Sequence, residues 1–394
     1  MKKLLSFLLP LFFVQVIFAQ GIQFDTVGTN WSAIFNQAQR EQKLIFVVAY
    51  STSCHNCQEM QEKVYPATPV GTVFNTKYIN VKIDVDQASA TEFSLKYGII
   101  AYPSYLFLND KGEQVHRAMG NMSIEKFIEM GENSSSPTSQ YFPLKKRFSN
   151  GDRSADLLKK LTFMAKNLEN KGLLDSVHIA YLDTQENWLT KDNMDIIRIG
   201  LKSIEQKTFP FLIQQKKAFI DTFGAAKIHN QIEEVVLNSL SISAYDYSKR
   251  DFDMALAKAY ALKYLPADLF SQYWLLFNVN QHMRKNEEDA FISSAIRYFD
   301  EYPCYNEFLY NNIALSFYEK TKEKEHLDKA LNWALKAISI KDIFPFNDTT
   351  AALYFKLKNK EKALEYALKA INQAKESGYD ASETISLLKK IEAL

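Results

Sequence analysis

Three cysteines, Cys54, Cys57 and Cys304, are the residues of this 394-residue chain best able to do covalent chemistry. Cys54 and Cys57 are separated only by His55 and Asn56. A disulfide closing so short a loop restricts the unfolded chain little, so a structural staple explains the pair poorly. Zinc needs about four ligands, and two thiols with His55 supply part of such a set. Thiol–disulfide exchange needs only a thiolate that attacks and a second thiol that resolves. The pair therefore points first to redox chemistry, which requires no metal and no cofactor. A partial zinc site and an inert pair are the alternatives. Cys304, beside Pro303 and between Tyr302 and Tyr305, reads as a buried free thiol rather than a second redox centre.

The elements around the pair sharpen that reading. Leu44 to Tyr50 is a continuous apolar run rich in β-branched and aromatic residues, as in a central buried strand. Ser51-Thr52-Ser53 follows as a polar turn, and Cys54 to Tyr65 carries helical spacing through Cys57, Met60 and Val64. The pair thus lies where a strand ends and a helix begins. Unpaired N–H groups and the positive end of the helix dipole stabilise a thiolate there. Cys54, at the tip, is expected to be exposed and acidic, and Cys57, one turn in, to be shielded. Downstream, 78–86 reads as a strand and 88–97 as a helix stopped by Gly98. Residues 103–108 and 113–118 read as strands joined by a turn at 109–112, and Ser123 caps a helix over 124–131. Strands joined by a tight turn are antiparallel, and strands flanking helices are usually parallel. The expectation is an α/β domain with a mixed central sheet and helices on both faces.

Residues 22–131 resemble the thioredoxin family, on three motifs in order. The first is the strand–Cys54-His55-Asn56-Cys57–helix unit. The second is Val81-Lys82-Ile83-Asp84-Val85-Asp86-Gln87, similar to the family's third strand. The third runs through Lys96-Tyr97-Gly98-Ile99, Tyr102-Pro103-Ser104, Gly112-Glu113 and Gly120. Met60, Val64, Val70 and Phe74 resemble the branch that contains bacterial secreted thiol-disulfide proteins. The resemblance implies a cis Pro103 facing the cysteine pair, with Tyr102 and Pro103 as the substrate-binding segment. It also implies departures. The family's buried carboxylate, six residues before the first cysteine, is replaced by Val48, which leaves Lys82 without its acidic partner. Proton transfer for Cys57 is then expected to depend on water or on His55. His55 and Asn56 replace the usual Gly-Pro, and with Lys82 they are the expected tuners of the redox potential. A histidine beside the thiolate would make the disulfide more oxidising, about 30 mV for each ~1.4 kcal/mol. The bland alternative is an exposed His55 with no electrostatic role. Tyr102 is bulkier than the family's usual residue, and it either restricts partners or simply packs.

Composition sets wider limits. There are only 12 Gly and 10 Pro, about half the usual share, which argues against a turn-rich all-β protein. The net charge of +1 gives no sign of the one-sided basic surface expected of a nucleic-acid binder. Met1-Lys2-Lys3, the apolar stretch Leu4–Phe18 and the small Ala19 follow the order of a secretory signal peptide, so residues 1–19 are read as a leader. The apolar stretch is shorter than a membrane span, and stable membrane insertion is not expected. A periplasmic or secreted location follows.

After the α/β domain, assigned to 20–132, a polar segment at 133–140 opens a linker taken to 150. Residues 151–244 read as helical without a repeat; Leu157, Leu158, Leu161, Met164, Ala165 and Leu168 form an amphipathic stripe. Residues 245–394 carry a repeat: Ala330, Ala334 and Ala337 recur 33 positions later as Ala363, Ala367 and Ala370. This spacing resembles the tetratricopeptide repeat, in which small residues let paired helices approach. Such arrays often present a concave surface to a peptide or protein. The first functional reading is an exported thiol-disulfide oxidoreductase acting on protein or peptide thiols and disulfides, with the repeats recruiting or positioning the partner. The second is a non-catalytic scaffold that binds a partner through the repeats.

Overall fold

A computed structural model describes residues 21–25 and 30–394. The leader assigned to 1–19 lies outside the described residues. Contacts divide the chain into two compact units, one ending at Gly200 and the other running from Leu201 to Leu394.

The first unit is built on one central strand. Its elements are α1 (Trp31–Glu41), β1 (Leu44–Tyr50), α2 (His55–Glu59), a π-helical turn (Met60–Val64), α3 (Thr68–Lys77), β2 (Tyr78–Asp84) and α4 (Thr91–Tyr97). They continue with β3 (Ser104–Leu108), β4 (Gln114–Met119) and α5 (Ile124–Asn133). The sheet order is β2-β1-β3-β4, with β1 parallel to β2 and antiparallel to β3, and β3 antiparallel to β4. The mixed sheet expected from the sequence is therefore present.

β1 has neighbours on both edges and helices on both faces, which explains why its run is apolar without alternation. Ile45, Val47 and Ala49 pack against Ile34 and Ala38 of α1 and Phe93 and Tyr97 of α4. Phe46 and Val48 point the other way, toward Met60, Val64, Phe74 and Phe127. Phe46 is fully buried, with ring centroids of Phe74 at 4.6 Å and Phe107 at 5.0 Å. The β3–β4 turn is closed by Asn109, whose Oδ1 accepts from the N–H groups of Lys111 and Glu113. Gly112 has φ +74°, and a Cβ there would lie 2.9 Å from the Phe35 ring.

The segment expected to be a linker is structured. Residues 141–149 form α6 (Tyr141–Ser149), with Tyr141 and Leu144 buried. The Tyr141 N–H donates to Nδ1 of buried His116 on β4 at 3.0 Å, and the Gln140 side chain donates to the Ser134 carbonyl. Two buried positions in one short helix, beside Lys145, Lys146 and Arg147, are too few to register as a periodic stripe. Helices α7 (Ala155–Asn167), α8 (Lys171–Leu182) and α9 (Lys191–Gly200) complete this unit. The stripe on α7 is core at Leu157, Leu158, Leu161 and Ala165, each fully buried.

The second unit is almost wholly helical. It contains α10 (Thr208–Gln214), α11 (Lys216–Phe223), α12 (Ala225–Ala244), a two-strand ribbon of β5 (Tyr245–Asp246) and β6 (Asp251–Phe252), and α13 (Met254–Tyr264). It continues with α14 (Ala267–Arg284), α15 (Glu288–Glu301), α16 (Glu307–Lys320), α17 (Lys324–Ile340), α18 (Phe344–Lys356), α19 (Lys360–Ser377) and α20 (Ser382–Glu392). The recurring alanines fall at equivalent places. Ala330, Ala334 and Ala337 on α17, and Ala363, Ala367 and Ala370 on α19, are all fully buried. Each of these helices packs closely on the helix before it, α17 on α16 and α19 on α18. Among the described residues, no helix is long and apolar enough to cross a membrane.

Candidate redox site

At the end of β1 the chain turns through Ser51-Thr52-Ser53 and enters α2. Cys54 occupies the N-cap position with an extended backbone, φ −82° and ψ 109°. Its carbonyl accepts from the N–H groups of Cys57 and Gln58, and its Sγ accepts from the Cys57 N–H at 3.1 Å. The sulfur therefore takes the role that a Ser or Asp oxygen takes at other helix starts, beside donors that favour a negative charge. Cys54 and Cys57 form a disulfide with Cα atoms 5.2 Å apart. Cys54 is partly exposed, and Cys57 is buried at 5% exposure. The asymmetry follows from helix geometry, because three residues along the chain is almost one turn inward. His55 and Asn56 are both exposed on the outer side of the turn.

Asp86 holds this turn in place. Oδ2 of Asp86 accepts from the Thr52 N–H at 2.8 Å, the Thr52 hydroxyl at 2.7 Å and the Ser51 hydroxyl at 3.1 Å. These bonds hold the Asp86 carboxyl below the usual carboxylate range. Gln58 of α2 donates back to the Thr52 carbonyl at 3.0 Å. The sequence signal was a run of three hydroxyl residues ahead of the cysteines, with an acid just past the end of the neighbouring strand.

The helix after the pair changes pitch. From Met60 to Val64 it is π-helical, and the Tyr65 N–H reaches the Met60 carbonyl. Gln61 and Tyr65 border a cleft of ≈ 360 Å³ that is also lined by Tyr50, Ser51, Thr52, Cys57, Gln58 and Lys82. Lys82 pairs in register with Val48 across β1 and β2. Its ammonium donates to Gln61 and lies 4.7 Å from the Tyr50 ring centroid, 5.3 Å from Phe24 and 5.8 Å from Tyr65. Burial lowers its pKa.

The Tyr102–Pro103 peptide bond is cis. Ala49 is opposite Ser104 in the β1–β3 ladder, so Pro103 lies at the same end of the sheet as the cysteines. The Pro103 carbonyl accepts from the Gly120 N–H at 2.9 Å, and Ser104 donates to the Ala101 carbonyl. Tyr102 is 37% exposed, and Ile100, two residues before it, is 86% exposed. Of the residues singled out from sequence, Cys54, Cys57 and Lys82 are gathered around one turn and its cleft, and Tyr102 and Pro103 lie at that sheet end. His55 and Asn56 stand on its solvent side. Cys304, in the second unit, is free and buried, with its thiol pushed up to about 12 by burial. Among the described residues no group of three or more His, Cys, Asp or Glu is placed to hold a metal ion.

Residues 26–116 match the family model described as Thioredox_DsbH, a protein of unknown function, DUF255. Curated proteins give no match to the chain. Among solved structures, a Bacteroides thetaiotaomicron protein described as a candidate disulphide-isomerase is 30% identical. It matches 29% of this chain and 94% of its own length, with a TM-score of 0.27. A DsbH oxidoreductase is 14% identical over 34% of this chain and 94% of its own, with a TM-score of 0.26. The C-terminal domain of Neisseria meningitidis DsbD in the oxidised form is 17% identical over 29% of this chain and 98% of its own, with a TM-score of 0.25. With the cysteine pair at the head of α2 and the mixed four-stranded sheet behind it, the chain belongs, through its amino-terminal domain, to the thioredoxin-like family.

Proposed function

We propose that this protein is an exported thiol-disulfide oxidoreductase that exchanges disulfides with protein or peptide substrates through Cys54 and Cys57. The observation that carries the reading is the pair itself: a partly exposed sulfur among the donors of a helix start, bonded to a buried sulfur one turn deeper. In the reducing direction, the Cys54 thiolate attacks one sulfur of a substrate disulfide. A Cys54–substrate disulfide forms, and the other substrate sulfur leaves as a thiolate. The Cys57 thiolate then attacks Cys54 Sγ, closing the internal disulfide and releasing the second substrate thiolate. Two electrons pass from the protein to the substrate, and the same steps in reverse oxidise a dithiol. His55 and Asn56 tune the potential from the solvent side, and Lys82 does so from the cleft.

The substrate segment lies beside Tyr102 and Pro103. The Pro103 carbonyl is engaged by Gly120, whereas among the described residues no hydrogen bond engages the Tyr102 backbone. A partner backbone added as a short strand would therefore pair with Tyr102. Residues 20–132 form the redox domain in this reading. Residues 245–394 form a tetratricopeptide-like array that recruits or positions the partner, and the compartment is periplasmic or extracellular. The buried alanines at equivalent places on α17 and α19 support the array.

Reduction of insulin or a model disulfide, with wild type and Cys54→Ser side by side, tests the enzymatic claim. Wild type is expected to turn over well above Cys54→Ser. Equal, background-level rates would remove it. The scaffold reading is favoured by one observation, the fully buried Val48 where a proton-accepting carboxylate would serve Cys57. Cys57→Ser separates the two: an oxidoreductase accumulates mixed disulfides through Cys54, and a scaffold retains partners regardless of reductant.

A further inference from the structure

The resolving step needs Cys57 as a thiolate, yet Cys57 is buried and its surroundings must take the proton. Val48, on the same sheet face and fully buried, has no group to accept it. His55 is exposed and does not line the cleft that Cys57 borders. What shares a space with Cys57 is the cleft behind it, and no carboxylate lines that cleft among the described residues. Its volume of ≈ 360 Å³ is ample for water.

The titratable groups facing the cleft are Cys57, Tyr50 at the end of β1, Tyr65 after the π-helical turn, and Lys82 on β2. Burial raises both tyrosines, with Asp84 and Asp86 adding to the effect on Tyr50, so both stay protonated and offer no acceptor. Lys82 is different. Its ammonium is ringed by Phe24, Tyr50 and Tyr65 and hydrogen-bonded to the neutral Gln61, an environment without a counter-charge. Burial lowers the pKa of this ammonium, so the amine form, with its lone pair, is easier to reach than in an exposed lysine.

Resting on the thiol-exchange reading above, we propose that Lys82 accepts the proton of the Cys57 thiol, through water in the shared cleft, when Cys57 resolves the mixed disulfide. In this step the Cys57 S–H bond breaks and the Lys82 amine becomes an ammonium. The Cys57 thiolate then bonds to Cys54 Sγ as the Cys54–substrate S–S bond breaks, and the departing substrate thiolate leaves with that electron pair. Lys82 returns its proton to the released thiolate or to solvent. Reversal gives the oxidising direction, with Lys82 protonating Cys57 as the mixed disulfide forms.

The test uses the reduced full chain, rapidly mixed with an aromatic reporter disulfide that yields a coloured thiolate at each exchange. The first release reports attack by Cys54 and the second reports closure by Cys57. Lys82→Met is expected to slow the second release far more than the first, and far-UV circular dichroism of the variant checks that it is folded. The second release should slow about a hundredfold, with a pH dependence moved toward that of an ordinary thiol, near ~8.5. Lys82→Arg keeps the positive charge but cannot act as a base, and it should be as slow as Lys82→Met. A second release in Lys82→Met with the wild-type rate and pH profile would overturn the proposal. So would a Lys82→Arg variant restored to the wild-type rate, because charge alone would then suffice. A wild-type first release no faster than in Cys54→Ser would instead sink the thiol-exchange reading itself.

Discussion

Asp86 grips Thr52 twice, accepting from both its backbone N–H and its hydroxyl, and so fixes the turn that delivers Cys54 to the start of α2. The anchor lies just beyond β2 and the anchored turn just beyond β1, so the parallel pairing of the two strands determines where the Cys54 sulfur sits. The site is thus positioned by the sheet as much as by the helix it opens.

Removing that grip should impair chemistry without abolishing the fold. Asp86→Ala is expected to slow attack by Cys54 about tenfold through misplacement of the turn, while Asp86→Asn, which keeps an acceptor oxygen, retains more activity. Its hydrogen bonds hold the Asp86 pKa below that of the unfolded chain. The stabilising contribution is accordingly present above the unfolded value, near ~3.9, and is lost as pH falls through the lower folded value. Exchange kinetics of the variants and acid titration of the fold check both statements.

His116 gives a second pH dependence. Burial lowers its pKa to about 4, and its Nδ1 accepts from the Tyr141 N–H, so the folded ring is neutral. Unfolded, it takes a proton below ~6.5. Between those values the unfolded chain binds more protons, and stability falls as pH drops from ~6.5 toward about 4, by up to about 3 kcal/mol. His116→Gln should flatten that portion of the stability profile, measured by denaturant melts at several pH values. An unaltered slope in the variant would assign the loss to other groups.

The alanine seams of the second unit are sensitive to size. Ala334→Leu or Ala367→Leu inserts bulk at a fully buried position and should cost about 1–3 kcal/mol or more. Leu368→Ala, on the neighbouring half-exposed position, should stay within about 0.5 kcal/mol. Thermal melts of the full chain distinguish the two.

Phe46 is the corresponding test of the sheet core. Its ring meets those of Phe74, Phe107 and Phe127, and Phe46→Ala should cost about 3–5 kcal/mol. Such a loss should appear in denaturant melts as a lowered midpoint for the first unit.

Much of this architecture was legible because it is local. The uninterrupted apolar run of β1 announces a strand buried on both faces, and the spacing of Cys57, Met60 and Val64 announces the helix behind it. The alanines recurring 33 positions apart mark a face that must approach another helix closely. Other features were hidden because they depend on contacts remote in sequence. The role of Asp86 requires β2 to lie beside β1, which brings together residues 34 positions apart. Helix α6 owes its place to a bond between Tyr141 and His116, and the residues around it are polar enough to pass for a linker. The change to π-helical pitch at Met60, which brings Gln61 and Tyr65 to the cleft of Lys82, leaves no mark in the periodicity.

Exchange through this site requires one reactive sulfur, and the most direct measurement of it is the rate of Cys54 alkylation against pH in the reduced Cys57→Ser chain. The helix start predicts a thiolate that persists well below the ordinary thiol value, with a midpoint between about 3.5 and 7.5. A midpoint at ~8.5, that of an unassisted cysteine, would contradict it.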